Sequence, residues 1–238
     1  MHIIAHRGYS GKYPELSPIA FEKALELPIH GLECDVHLTR DGYLVINHDD
    51  RLDRTSTLTG RIERMDWADI RRADIGQGRF EGQGIMLLDE LLEMAKPYPH
   101  HLYIETKHPS PYGDIVEEQT LLRLRYAGLD DDPRIHIISF SHRAIRKMAQ
   151  IAPDMDRIYL RRDWERHINR PDILLSQPTG LGMSMLRGRV QPGAIGTHGL
   201  PTYMWTVDRP EDMKWAWANG VDMLATNQPE VALHAINL

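Results

Sequence analysis

One cysteine, Cys34, occurs in 238 residues, which excludes an internal disulfide and a thiolate zinc cluster and fits a reducing compartment. No block of basic residues is present to track a polyanion: net charge is -6, and both signs are interspersed along the chain. A nucleic acid is therefore not an expected partner. No stretch approaches the roughly 18–20 apolar residues of a membrane span. The opening residues, MHIIAHRGYSGKYPE, lack the charged-then-apolar pattern of a leader. A soluble, cytoplasmic protein without stable membrane insertion is expected. No internal repeat, low-complexity tract or linker divides the chain, so a single domain over residues 1–238 is expected.

What is present is an alternation. Short β-prone runs at 2–6, 32–38, 102–107, 135–140, 157–160, 181–185, 202–207 and 222–226 are separated by segments of helical periodicity, the pattern of βαβ units. The clearest helical segments are SPIAFEKALEL, LDELLEMAK, DIVEEQTLLRLRYAG, SHRAIRKMAQIA and PEDMKWAWANG. The last of these has Pro near its start and Gly at its end. Eight such strands predict an α/β protein with a (β/α)₈ TIM barrel, whose chemistry gathers at the carboxyl ends of the strands. A doubly wound open sheet is the alternative. The segment RGRVQPGAIGTHG makes a poor helix, and residues 43–86, with an extra extended run YLVINH and a polar tract, read as an insertion after the second strand.

The run LECDVHLTRDGYLVINHDD holds the main anomaly. Buried parallel strands are expected to be almost continuously apolar, yet Glu33 and Asp35 share one face of this one. Leu32, Cys34 and Val36 take the other, so the acids point into the barrel. In LYIETK the same parity sets Tyr103, Glu105 and Lys107 apart from Leu102 and Ile104. In HIIAHRG, His6 follows Ile4 onto the inward face. Burying carboxylates is costly unless something positive neutralises them, and three inward carboxylates, Glu33, Asp35 and Glu105, suit one hard divalent cation, Mg²⁺ or Ca²⁺.

His6 and His48 then stand as proton donor and acceptor. Arg7 and Lys107 supply positive charge where a phosphoryl group could dock. Taken singly, Glu105 and Lys107 read equally well as a salt bridge. Cys34 reads as a small buried residue facing the helices, and Trp205 and the tryptophans of MKWAWANG as packing. His100, His101, His136, His142, His167, His198 and His234 have no companion group that the sequence can place beside them.

Several motifs resemble, in order and over nearly the whole chain, the glycerophosphodiester phosphodiesterase family. They are HRG, the Pro14-Glu15 pair with Ser17, Ala20 and Phe21, then ECDVHLTRDGYLVINHD, LDELL, ETK and MWTVDRPEDMKWAWANGVDMLATNQP. The resemblance implies a metal-dependent barrel that hydrolyses a glycerophosphodiester to sn-glycerol 3-phosphate and an alcohol. His6 and His48 would be the acid-base pair, and Glu33, Asp35 and Glu105 the metal ligands. Arg7 and Lys107 would hold the phosphate, Glu15 would support them or touch the glycerol, and Trp205 would form an apolar wall. The chain departs from the family at Leu16 and Ser17, where Asn and Thr are usual, at Asn227, where Asp is usual, and at MLL (86–88), where PTL is usual. Two other readings remain open: a catalytically impaired barrel that binds phosphodiesters, and a phospholipase D-like enzyme acting on lysophospholipids. The polar inserted tract favours a small substrate over a lipid.

Overall fold

The computed structural model describes residues 1–76, 78–165 and 170–236, without side chains at 170–172. The strands are β1 (His2–Ala5), β2 (Gly31–Leu38), β3 (Leu44–Ile46), β4 (His101–Thr106), β5 (Ile135–Ser139), β6 (Asp156–Leu160), β7 (Gly180–Ser184), β8 (Thr202–Trp205) and β9 (Met223–Thr226). Eight of them run parallel in the order β1-β9-β8-β7-β6-β5-β4-β2, and β1 also pairs with β2, so the sheet closes on itself. That closure makes a TIM barrel and overturns the open-sheet alternative.

Helices α1 (Pro18–Leu25), α2 (Trp67–Ile70), α3 (Leu88–Ala95), α4 (Ile115–Ala127), α5 (His142–Ile151), α6 (Arg170–Ser176), α7 (Met185–Val190), α8 (Pro210–Ala218) and α9 (Pro229–Ala235) fill the connections. Their starts follow local chemistry. The hydroxyls of Ser17, Ser141 and Ser184 accept from backbone N–H groups in the first turns of α1, α5 and α7, and α8 and α9 open on proline. The segment expected to be a poor helix supplies only the last four residues of the six-residue α7 before Pro192 stops it, followed by two short 3₁₀ turns.

Period-2 alternation divides the apolar residues into two layers. Leu32, Cys34, Val36, Leu102, Ile104 and Ile137 face outward and pack with the helices. Ile4, Tyr103, Ile138, Ile158, Tyr203 and Ala225 fill the barrel interior. The insertion after β2 begins with β3, antiparallel to β2, and continues through a 3₁₀ turn and α2. It has a small core of its own, built from Val45, Leu52, Ile62, Ile70, Ile75 and Ile85. Trp217, read from the sequence as packing, is instead 58 % exposed, because α8 turns it away from the sheet. Among the described residues no helix is long and apolar enough to cross a membrane.

Candidate active site

The carboxyl end of β1 opens into a tight turn. Arg7 (φ 58°) and Gly8 (φ 73°) are both left-handed, a conformation that costs a non-glycine residue roughly 1–3 kcal/mol and persists where the surroundings enforce it. At Gly8 a Cβ would lie 2.8 Å from the Ala20 backbone carbon, so only glycine fits against α1. The turn aims the Arg7 N–H at Glu33 Oε2, 2.9 Å away. Leu16, also left-handed at φ 59°, donates its N–H to the Arg7 carbonyl. Its side chain is buried in the helix-facing core. Position 16 thus explains why an Asn, which tolerates this conformation, suits it; here Leu accepts the strain and gains burial. Ser17 is spent as the cap of α1.

Glu33 and Asp35 on β2 and Glu105 on β4 are 2, 1 and 7 % exposed. The register sets Asp35 opposite Glu105. One oxygen from each lies within 4.8 Å of the others, a spread one cation can span, since Mg²⁺ and Ca²⁺ bind oxygen at about 2.0–2.6 Å. Lys107 Nζ bridges Asp35 Oδ1 at 3.0 Å and Glu105 Oε1 at 2.9 Å. Asp35 Oδ2 is buried without a hydrogen-bond partner, with Arg7 Nε 3.7 Å away. Burial and the other two acids push Glu33 well above the usual carboxylate range. Burial raises Glu105 to about 7, despite Lys107. For Asp35 burial works upward too, but Lys107 and Arg7 outweigh it and hold the group at about 2. Three acids cannot all ionise comfortably this close together; an oxygen-only set with an orphaned carboxylate oxygen fits a hard divalent cation.

Both histidines line the same cavity, about 100 Å³ in volume, together with Arg7, Glu33, Glu105 and Trp205. His6 Nδ1 lies 2.8 Å from Asn227 Oδ1. The Asn227 amide donates to Asp208 Oδ2 and Ser10 Oγ donates to Asn227 Oδ1, so the Asn oxygen is an acceptor and His6 carries its proton on Nδ1. Its Nε2, 3.9 Å from Glu33 Oε2, is left with a lone pair. Burial and Arg7 lower His6 to about 4, so it is neutral at neutral pH. His48 Nδ1 donates to Asp49 Oδ1 at 2.6 Å. Burial lowers His48 as well, with the Asp35 charge pulling upward. Arg54, from the insertion, fixes Asp49 at 2.6 Å and Glu15 at 2.7 Å, and Glu15 in turn accepts from Arg7 Nη1 at 3.0 Å.

The structure therefore brings His6, Arg7, Glu33, Asp35, His48, Glu105, Lys107 and Trp205 to one mouth. Glu15 reaches it through Arg7. Sequence reasoning missed Ser10, Arg54 and Asp208, and noted Asn227 only as a departure from the family, although its side-chain oxygen accepts from His6. The only local signal for these partners was polarity in loops after strands. Of the histidines left without companions, His167 lies outside the described residues. His142 stacks on Tyr159 at 3.7 Å and His100 bonds the Leu27 carbonyl. His101 and His136 meet each other, 2.7 Å apart, at the opposite end of the barrel. That is a correction which strand register explains.

The relatives of this chain place it among the phosphoric diester hydrolases. The chain belongs to the glycerophosphoryl diester phosphodiesterase family, whose model matches residues 6–231. It is 32 % identical to the "Probable glycerophosphodiester phosphodiesterase 1" of Mycobacterium tuberculosis, over 95 % of this chain and 89 % of the relative. It is 29 % identical to the glycerophosphodiester phosphodiesterase of Caldanaerobacter subterraneus, over 98 and 97 %. The fold matches an Oleispira antarctica phosphodiesterase solved in complex with the product sn-glycerol-3-phosphate, with a TM-score of 0.92 at 24 % identity, covering 100 % of this chain and 97 % of that one.

Proposed function

We propose that the protein hydrolyses glycerophosphodiesters to sn-glycerol 3-phosphate and an alcohol, with His6 and His48 moving the protons and Glu33, Asp35 and Glu105 holding one Mg²⁺ or Ca²⁺. The observation that carries this reading is the cluster of three buried carboxylates, two of them lining a cavity that is also lined by two histidines whose Nδ1 atoms are already bonded. When bound, the cation supplies Lewis-acid charge to the phosphoryl oxygens and to the attacking hydroxyl.

His6, neutral and with its Nδ1–H held by Asn227, accepts on Nε2 the proton of the nucleophile: either water, which gives glycerol 3-phosphate directly, or the glycerol 2-hydroxyl, which gives a cyclic phosphate that a water molecule then opens to glycerol 3-phosphate. His48 gives a proton from Nε2 to the departing alkoxide. Asp49 faces its Nδ1–H and favours the charged imidazolium, which suits His48 to the acid role and His6 to the base. Arg7, steadied by Glu15, and Lys107 face the phosphoryl charge. Trp205 walls the glycerol, and the leaving alcohol extends toward a cavity of about 350 Å³ lined by Phe140, Arg162 and Trp164. The single buried thiol suits a cytoplasmic setting.

The test is release of glycerol 3-phosphate with and without chelator. Release should stop with chelator and return with Mg²⁺ or Ca²⁺. No release from any glycerophosphodiester with either ion added would leave a binding barrel. Exposed Trp164, at 76 %, favours a lysophospholipid as competing substrate, and the ratio of kcat/KM for the two substrate types decides between them.

A further inference from the structure

The amino-terminal mouth of the barrel carries a second cluster that the hydrolytic reaction does not use. Three neighbouring strands bring it together. His30 immediately precedes β2, and its backbone is pinned between strands: its N–H donates to the Ile3 carbonyl, and its carbonyl accepts from His101 N–H. His101 opens β4, and His136 is the second residue of β5. One ring nitrogen from each of the three lies within 4.8 Å of the others. His101 Nδ1 and His136 Nε2 are 2.7 Å apart, and the His30 ring stacks on His101 with centroids 3.9 Å apart. The three open onto a cavity of about 310 Å³.

Behind the cluster, His136 Nδ1 lies 3.1 Å from Asp156 Oδ2. That carboxylate fixes the His136 proton on Nδ1 and turns the Nε2 lone pair toward His101, the outer-shell arrangement that orients and enriches a metal-binding imidazole. On the barrel side the Tyr103 ring stacks on His136 at 4.3 Å. Tyr103 belongs to the apolar interior that separates this mouth from the carboxylates above.

We propose that His30, His101 and His136 form a second metal site, for a borderline d-block dication with Zn²⁺ as its probe, tying together the amino-terminal ends of β2, β4 and β5. Imidazole nitrogens select such ions, whereas an all-carboxylate set selects Mg²⁺ or Ca²⁺, so the two mouths sort different metals. Three nitrogens at about 2.0–2.1 Å leave a fourth, tetrahedral position for water. Two such nitrogens stand about 3.3 Å apart, so the His101–His136 pair has to open slightly from its hydrogen bond. His101 keeps its proton by moving it to Nε2, so no net protonation change is required.

Zinc could also enter the carboxylate mouth, so the titration is run in excess Mg²⁺ on the wild-type protein and on Glu33→Gln/Glu105→Gln. Both should bind one equivalent of Zn²⁺ at the histidines, and Co²⁺ in its place should show the visible bands of a tetrahedral nitrogen-ligated ion. His101→Ala should abolish that binding and its spectrum while leaving Mg²⁺-supported hydrolysis unchanged. Asp156→Asn should weaken it about 10- to 100-fold. Circular dichroism reports whether each variant folds. If His101→Ala does not, His30→Gln, in a connecting segment, carries the same test. Absence of Zn²⁺ binding in the carboxylate-disabled protein, or binding unchanged by loss of the histidines, would show an imidazole stack held by hydrogen bonds alone and would overturn the proposal.

Discussion

The two mouths of this barrel are built on the same inward stripes yet solve opposite electrostatic problems. On β4 the inward residues run His101, Tyr103, Glu105; on β1 and just beyond it they run His2, Ile4, His6. Imidazole lies at the amino end, apolar bulk in the middle, and the carboxylate or proposed acid-base histidine at the carboxyl end. At the carboxyl mouth three acids are almost fully buried and held in mutual repulsion. At the amino mouth burial and neighbouring imidazoles lower His30 to about 3 and His101 to about 4, so those rings stay neutral at neutral pH. Left-handed non-glycine residues occur on both sides: Arg7 and Leu16 at the carboxyl mouth, Gln177 and His198 in the segments that lead into β7 and β8. Buried like charge therefore marks the carboxyl end, whereas neutral stacking marks the other.

The strongest way to break the comparison is at the carboxyl mouth. His48→Ala should lower kcat about 10²- to 10⁴-fold while Mg²⁺ affinity, read by calorimetry, stays unchanged. An equal loss of affinity would show that His48 is a ligand and not the acid. Ile4→Ala removes part of the interior that both mouths rest on and should cost about 2–5 kcal/mol of stability, visible as a lower Tm. An Ile4→Ala protein that kept the wild-type Tm would contradict a shared core.

Asn227→Ala leaves His6 Nδ1–H without its acceptor, and the barrier should rise by about 1–3 kcal/mol, roughly 5- to 150-fold in kcat. KM should change little, because Asn227 bonds His6 and not the cavity. An unchanged kcat would remove Asn227 from the positioning of His6. The smallest effect is expected far from either mouth: Trp217→Ala should stay within about 0.5 kcal/mol of wild type in denaturant titration.

Much of this was legible from parity alone. The alternation in LECDVHL and LYIETK puts Glu33, Asp35 and Glu105 on the inward face, and the structure places them there. What parity does not encode is register between distant strands. His101 and His136 meet because Tyr103 pairs with His136 across β4 and β5, and a pairing offset lies outside any single segment. His6 and Asn227 are 221 residues apart and become neighbours only when β9 closes on β1. Leu16 reads in the sequence only as a departure from the usual Asn, because the sequence does not reveal that its backbone is left-handed and its side chain turned to the core.

The inserted segment after β2 has a consequence beyond its size. Its separate nest of aliphatic side chains sustains Arg54, and Arg54 in turn grips Asp49 behind His48 and Glu15 beside Arg7. Under the proposed roles, the alignment of His48 and Arg7 thus depends on a packing unit apart from the barrel's own core. Transient melting of that annex would idle the enzyme while the staves of the barrel stayed intact, so turnover should fade on warming before the global transition does.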